Sequence, residues 1–407
     1  MIDIVCCVWD SGFFTPLAET LGKYYSKVYY YTPRESGYMK CNDDRVGEGI
    51  KGVEKIYSVW DKIDEIDLFV FPDCFWAAEQ EYLKKLGKLV WGSGKTSWME
   101  QDRFALREWQ EKEGMPTPKW EECVGIDDLK ESLKENQFVK INKYRSDMET
   151  LRHYDKTRSE QRFDELKVKL GAYKDLIPFM VENKVDGIEI GIDTWNIDGQ
   201  FPNMVLVGIE EKDCGYFGKY YQRDELPEAI KYVNEKMVKV FTEENYKGFY
   251  SNEIKVNGKK YYLLDQTMRA PNPPYQLHLE MLSNLGEIIY YGAQGKIIVP
   301  KLKAKYGAVA VINSDFAVKN WISLDIPEDA RQWVKIMNMC VINDEIYSVP
   351  LYGLSEIGAV IGIGNTPEEA IENCKKHADQ IKGDSVEIDV DAVEDACEEL
   401  REHGFQE

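Results

Sequence analysis

Residues 248–269 read GFYSNEIKVNGKKYYLLDQTMR. Apolar and polar positions run on both sides of Asn257-Gly258, the pattern of two antiparallel strands joined by a tight turn with Asn257-Gly258 at its tip. Glu253 stands on the first strand and Asp265 on the second, so the hairpin is expected to bring the two carboxylates near each other. Two carboxylates on a rigid sheet suit one or two magnesium ions, with manganese as the alternative, and such ions neutralise a polyphosphate. Arg269, four residues beyond Asp265, adds a fixed cation for phosphate oxygens. Alone, this hairpin is better read as an ordinary charged surface. What surrounds it decides.

Upstream, IDIVCCVW, SKVYYYTP, IDLFVFPD and KLVWG read as strands, separated by the helices FTPLAETLGKYY and WAAEQEYLKKLG. Strands alternating with helices indicate a parallel sheet covered on both faces, over residues 1–98. Ligands of such sheets bind beyond the carboxyl ends of the strands, which puts Asp10-Ser11-Gly12 and Pro72-Asp73 on the functional rim. The last strand runs into GSGKT, three letters of which end a P-loop. That motif requires a glycine at position 89, which is Leu89, so the segment reads as a turn. Residues 99–120 read as one helix stopped by Gly114 and a Pro-x-Pro stretch. A strand QFVKINKY, a helix over 159–175 and a strand–turn–strand over 177–195 with Asp186-Gly187 at the turn come next. Beyond residue 300 follow shorter strands, then GAVIGIGNTPEEAIENCKKHADQIKG as a strand entering a helix, and an acidic helix at 386–407.

The chain has 407 residues, is 43% hydrophobic and carries a formal charge of −21. It is long enough for several buried cores, and its charge argues against a wide grip on nucleic acid, which needs clustered cations. No apolar run reaches the length of a membrane span, and MIDIVCCVWD reads as a buried strand rather than a secretory signal. Nine cysteines without C-x-x-C pairs fit a reducing cytoplasm, and four scattered histidines offer no metal-ligand spacing. A monomer or homodimer is expected.

DQTMRAPNPPYQ occupies the place of the E-x-N-x-R signature of ATP-grasp ligases. The order of parts also resembles theirs: a parallel-sheet domain, the helix DRFALREWQEKEGMPTP, the lysine-bearing strand FVK, the hinge VENKVDGIE, then the hairpin. Among them the chain is most similar to the phosphoribosylamine–glycine ligases (glycinamide ribonucleotide synthetases), through IDLFVFPD, LVWGSGKTSWMEQDRFALREW, RAPNPPYQ and GIGNTPEEAIENC, across roughly residues 1–385. The resemblance implies mixed α/β and α+β architecture: an N-terminal Rossmann-like domain over 1–98, an ATP-grasp domain over 99–300 with a lid at about 121–185, a small α+β domain over 301–385, and the acidic helix.

The resemblance also implies roles. Arg103 and Lys140 would face the triphosphate, Glu182 and Val185 would read the adenine edge, and Glu189 would accept ribose hydroxyls. Glu253, Asp265 and Thr267 would hold magnesium, and Arg269 would face the transferred phosphate. Lys140 and Arg269 would thus be the catalytic cations. The chain departs from the family in several places. INKYRSDMETLRH replaces the glycine-rich flap, with Lys143, Arg145 and Arg152 standing in as side-chain cations. Thr267 replaces an asparagine, Asp265 a glutamate, and WDSGFF lacks the loop that holds phosphoribosylamine.

The implied reaction is ATP-dependent amide formation between an amino acid and an amine, a nucleotide being one candidate, through an acyl phosphate. A kinase that stops at phosphoryl transfer, and an inactive nucleotide-binding scaffold suggested by Thr267 and the altered flap, stay open. Phe13, Phe14, Phe75, Trp76, Tyr216, Phe217, Tyr220 and Tyr275 offer a stacking wall for a ring, although such clusters are more often core.

Overall fold

The computed structural model describes residues 1–33, 45–142, 150–351 and 353–402. The chain forms two units, one of Met1–Thr96, Gly191–Ser251 and Thr267–Glu407, the other of Ser97–Ile190 and Asn252–Gln266.

The first unit opens with β1 (Ile2–Trp9), α1 (Thr15–Leu21), β2 (Tyr25–Tyr31), β3 (Glu54–Ile56), β4 (Leu68–Val70), α2 (Ala77–Lys85) and β5 (Leu89–Trp91). The strands form a parallel sheet in the order β3-β2-β1-β4-β5, as the alternation of strand and helix predicts. Residues 6–9 are buried on both faces, the expected state of a central parallel strand. After β1 the chain turns to one side and later crosses to β4 on the other. The crevice of such a reversal lies at the carboxyl ends of β1 and β4.

The second unit holds α3 (Trp98–Gln101), α4 (Arg103–Lys112), β6 (Trp120–Val124), α5 (Ile126–Ser132), β7 (Gln137–Ile141), β8 (Thr150–His153), α6 (Lys156–Leu170) and β9 (Pro178–Asn183). Its strands pair in the order β6-β9-β7-β8. The single helix expected over 99–120 is in fact two. Asp102 adopts an extended backbone (φ −126°) and its carboxylate accepts from the Ala105 N–H at 3.2 Å, so it caps α4 rather than continuing α3.

The rest comprises β10 (Ile188–Ile197), β11 (Met204–Glu211), β12 (Gly215–Gln222), α7 (Glu228–Glu243), β13 (Lys247–Asn257), β14 (Lys260–Thr267), α8 (Tyr275–Met281) and α9 (Leu285–Ala293). Then follow β15 (Tyr306–Ser314), β16 (Ile322–Leu324), β17 (Val334–Ile336), β18 (Met339–Ile342), β19 (Glu345–Ser348), β20 (Glu356–Gly364), α10 (Pro367–Ala378), β21 (Val386–Ile388) and α11 (Asp391–Glu402). In the first unit the later strands run β10-β11-β12-β15-β20-β17, with β21 on β15 and a small sheet β16-β19-β18 beside them. The expected strand and helix around GIGNTPEEA are β20 and α10. Thr366 caps α10 by accepting from the Glu369 N–H at 3.2 Å, and Pro367 supplies the first helical residue.

Every described cysteine is a free thiol. No described helix is long and apolar enough to cross a membrane.

Candidate functional site

The second unit buries a chain of charges. On β7, Val139 and Ile141 point into its apolar core, so Lys140 points the other way. On β9, Phe179 and Val181 point into that core, and Glu182 therefore shares the face of Lys140. The Lys140 ammonium stands 3.4 Å from Glu182 Oε2 and 3.6 Å from Asp265 Oδ2 on β14.

Helix α4 supplies the other cations. Its buried residues are Arg103, Leu106, Arg107 and Gln110, spaced i, i+3, i+4 and i+7, one stripe of the helix. Arg107 is 1% exposed and its Nε donates to Glu182 Oε1 at 2.5 Å. Its other nitrogens donate to Gln110 Oε1 and to the Leu263 and Leu264 carbonyls, at 2.9, 3.1 and 2.6 Å. Arg103 donates to the Ile141 carbonyl at 2.7 Å and stands 3.8 Å from Asp265. Burial would raise the Glu182 carboxyl, but Lys140 and Arg107 overcome it and hold the group below its ordinary value. Lys140, Arg103 and Arg107 thus share two carboxylates, Glu182 and Asp265, within one network.

The hairpin differs from expectation in its tip. Asn257 and Lys260 both remain in strand, and the turn is Gly258-Lys259, with Gly258 at φ +59°. Alternation also fails further along β14: Leu263 and Gln266 are both buried though three residues apart, and successive carbonyls at 263 and 264 both reach Arg107. Asp265 is the next residue.

Of the residues singled out in the sequence, the structure gathers Arg103, Lys140, Glu182 and Asp265. Glu182 turns its carboxylate inward to Lys140 and Arg107. Val185 is half-buried in the loop after β9, and Glu189 is exposed, 2.9 Å from Lys255 on β13. Glu253 is exposed on β13. Thr267 and Arg269 belong to the first unit, where Arg269 donates to the Ala270 carbonyl at 3.3 Å. Lys143 and Arg145 lie outside the described residues. Arg107 and Gln110 were missed from sequence. Their signal was present, as two arginines and a glutamine on a helical stripe that is ordinarily apolar.

Asp265 and Glu253 are hard oxygen donors, which suits magnesium. Among the described residues no three His, Cys, Asp or Glu side chains cluster as a metal cage. Magnesium is usually bound through one or two carboxylates plus phosphate oxygens and water, so this donor set fits it.

GSGKT does not form a phosphate cradle. The Gly94 N–H is taken by Gln80 Oε1 at 2.8 Å and Lys95 is exposed. At the rim of the parallel sheet, Asp10 accepts from the N–H groups of Ser11 and Phe14 at 2.7 and 2.8 Å and from the Tyr30 hydroxyl at 2.7 Å. The stretch after Arg269 joins this rim, since the Ala270 N–H donates to the Pro72 carbonyl at 2.8 Å. The expected aromatic wall is mostly core: Phe14, Tyr216, Phe217, Tyr220 and Tyr275 are buried within the first unit. Packing claims them before a ligand can.

Burial pushes Asp193 from 3.8 up to about 6, against the hydrogen bonds of Tyr216 and Ser251. Folded, the group binds a proton more readily than unfolded, so its stabilisation is full below pH 3.8 and is lost as pH rises through 6. The shift is on the order of 3 kcal/mol. Urea unfolding of Asp193→Asn beside the unsubstituted chain should show the variant gaining relative stability by about that amount between pH 4 and 7. A difference that does not change with pH would contradict the assignment.

No family model matches the sequence, and no curated protein matches it. Solved structures do match. Phosphoribosylamine–glycine ligase of Thermotoga maritima superposes with a TM-score of 0.72 at 14% identity, over 95% of this chain and 99% of that one. The fold is that of the ATP-grasp enzymes. Biotin carboxylase of Campylobacter jejuni, solved as a β,γ-ATP complex, gives 0.65 at 14% identity over 95% and 93%. L-amino acid ligase of Bacillus licheniformis gives 0.58 at 12% over 94% and 98%. The ATP-grasp architecture thus extends over nearly the whole chain, and the parallel sheet at its start is part of the match.

Proposed function

We propose that the chain is an ATP-dependent carbon–nitrogen ligase, joining the carboxylate of an amino acid to the amine of a second small molecule, a nucleotide among the candidates. The observation that carries this reading is Lys140, buried beside Glu182 and Asp265 within one network with Arg103 and Arg107. Fixed cations with carboxylates next to them suit a metal-bound triphosphate. The structural likeness to proteins named as a phosphoribosylamine–glycine ligase and an L-amino acid ligase supports the same class.

In the proposed reaction the substrate carboxylate attacks the γ-phosphorus, the bond to the β,γ-bridging oxygen breaks, and ADP leaves with the electron pair. The amine nitrogen then attacks the acyl carbon, the bond to the phosphate oxygen breaks, and inorganic phosphate leaves as the nitrogen loses its proton. Lys140 and Arg103 hold the phosphate oxygens and offset charge on the leaving group, and the family resemblance gives Arg269 the same role. The backbone between Glu182 and Val185 faces the adenine edge, and Glu189 takes the ribose. Asp265 and Glu253, with Thr267 two residues beyond Asp265, would hold magnesium, which when bound screens the phosphates from the attacking carboxylate. The turnover would occur in the cytoplasm.

The test crosses amino acids against amines with ATP and magnesium and follows ADP. Release should require both partners and stop with EDTA. A stable phosphorylated product from one partner alone would replace this reading with a kinase. Asp265→Ala should weaken magnesium-dependent ATP binding at least about tenfold, and unchanged binding would remove the metal assignment.

A further inference from the structure

A cavity of about 690 Å³ opens in the first unit, and none of its lining residues belongs to the charge network described above. Helix α7 presents Lys231, Asn234, Glu235 and Val238 to it, spaced i, i+3, i+4 and i+7, one continuous stripe. The opposite walls are the turn between β10 and β11, the residues 223–226 that follow β12, and residues 297–299 beyond α9.

These walls are pre-formed. The turn at Asp198-Gly199 has both φ angles positive, 50° and 87°, and Ile197 and Gln200 exchange backbone hydrogen bonds across it. A Cβ on Gly199 would come within 2.9 Å of the Val238 carbonyl, so the turn packs directly on α7. The Thr242 hydroxyl on α7 donates to the Val238 carbonyl at 2.8 Å and lies 3.2 Å from the Asp198 carbonyl, and Lys247 pairs with the Asp198 carboxylate at 2.7 Å. On the facing side, Gln222 and Glu225 close a capping box around residues 223–225.

The polar groups of the cavity are unevenly used. The Lys231 ammonium donates to the Asp224 carbonyl at 2.7 Å. Arg223 and Glu235 are exposed and, among the described residues, have no ion pair, so an unpaired cation and an unpaired carboxylate line one cavity. Asn234 is only 8% exposed, yet its Oδ1 is buried with no hydrogen-bond partner among the described residues. A buried acceptor left unmade is destabilising, and a small rotation of the Asn234 side chain that brings it to a donor on a bound molecule would remove that cost. Apolar side chains complete the site: Phe201, Leu226 and Ile297 line it, and Val238 and Val299 remain 41% and 62% exposed.

We infer that this cavity is a second small-molecule site, built for a short apolar peptide with free ends. The peptide carboxylate pairs with Arg223 and its ammonium with Glu235. An amide N–H donates to Asn234, and its side chains cover Val238 and Val299. The cavity lining carries two cations and two carboxylates, a balance that suits a zwitterion and disfavours a polyanion such as a nucleotide. Its volume is in the range of pockets for ligands larger than one amino acid.

Calorimetric titration of the full chain with L-leucyl-L-leucine tests this, with the N-acetylated, C-amidated dipeptide and octanoate as parallel arms. Saturable binding below about 1 mM is expected, at least about tenfold weaker for the capped peptide and for octanoate, which each lack a charge the site pairs. Arg223→Ala should weaken the dipeptide by at least about tenfold while leaving ATP turnover unchanged. No saturable binding up to about 10 mM would overturn the proposal. Equal affinity of Arg223→Ala and the unsubstituted chain, or of capped and free peptide, would overturn it too.

Discussion

Replacing Lys140 by glutamine is expected to lower ATP turnover by roughly 100- to 1,000-fold while the second unit stays folded. The two halves of that expectation rest on different contacts. Glu182 keeps its 2.5 Å bond to Arg107 in the variant, so no buried carboxylate is stranded. Glutamine is one bond shorter than lysine but keeps an N–H donor on the face of Glu182. What disappears is a positive charge in a place that water barely enters, where charge acts most strongly on a developing phosphoryl transition state. Steady-state ADP release and a thermal melt should be measured on the same preparation. If turnover falls only in step with a lowered melting temperature, Lys140 is a structural partner of Glu182 and the catalytic assignment is wrong.

The sequence exposed those parts of the fold whose signals are local. IDIVCCVW is apolar on both faces because a central parallel strand is covered on both, and N-T-P-E-E marks the start of α10 because a cap and a first-turn proline are chemical requirements of a helix end. The break at Asp102 was hidden by a helical periodicity that runs through it. Only the packing of α4 shows that the aspartate prefers to cap. The hairpin was legible, but its tip was misplaced by one residue, since Asn-Gly and Gly-Lys loops both satisfy a positive φ at glycine. The site divides in the same way. Lys140 and Asp265 could be singled out because they stand in motifs that follow one another in the order of the family. Arg107 could not, because a buried arginine makes sense only when the groups facing it are known, and these come from β9 and β14, 75 and about 156 residues away. The aromatic residues misled for a related reason: composition does not distinguish a wall from a core.

Arg107→Met should destabilise the second unit by about 3–5 kcal/mol, the cost of leaving a buried charge without its closest partner. Glu182 would keep only Lys140, at 3.4 Å rather than 2.5 Å, and the carbonyls of Leu263 and Leu264 would lose the guanidinium that turns both to one side. Gln110 still donates to Leu263 at 2.9 Å, so the Leu264 carbonyl suffers most. Arg107→Lys should recover less than half of the loss. An ammonium preserves the charge but has no planar fork to serve a carboxylate and two carbonyls together. The decisive variant is the pair Arg107→Met with Glu182→Met. Two apolar side chains of suitable volume remove both the stranded charge and the penalty of burying it, so the double variant should be more stable than Arg107→Met alone. Urea unfolding, with hydrogen exchange read at β9 and β14, separates these cases. Should the double variant prove no more stable than the single one, Arg107 acts through helix packing. The charge network would then not be what holds Lys140 and Asp265 in place.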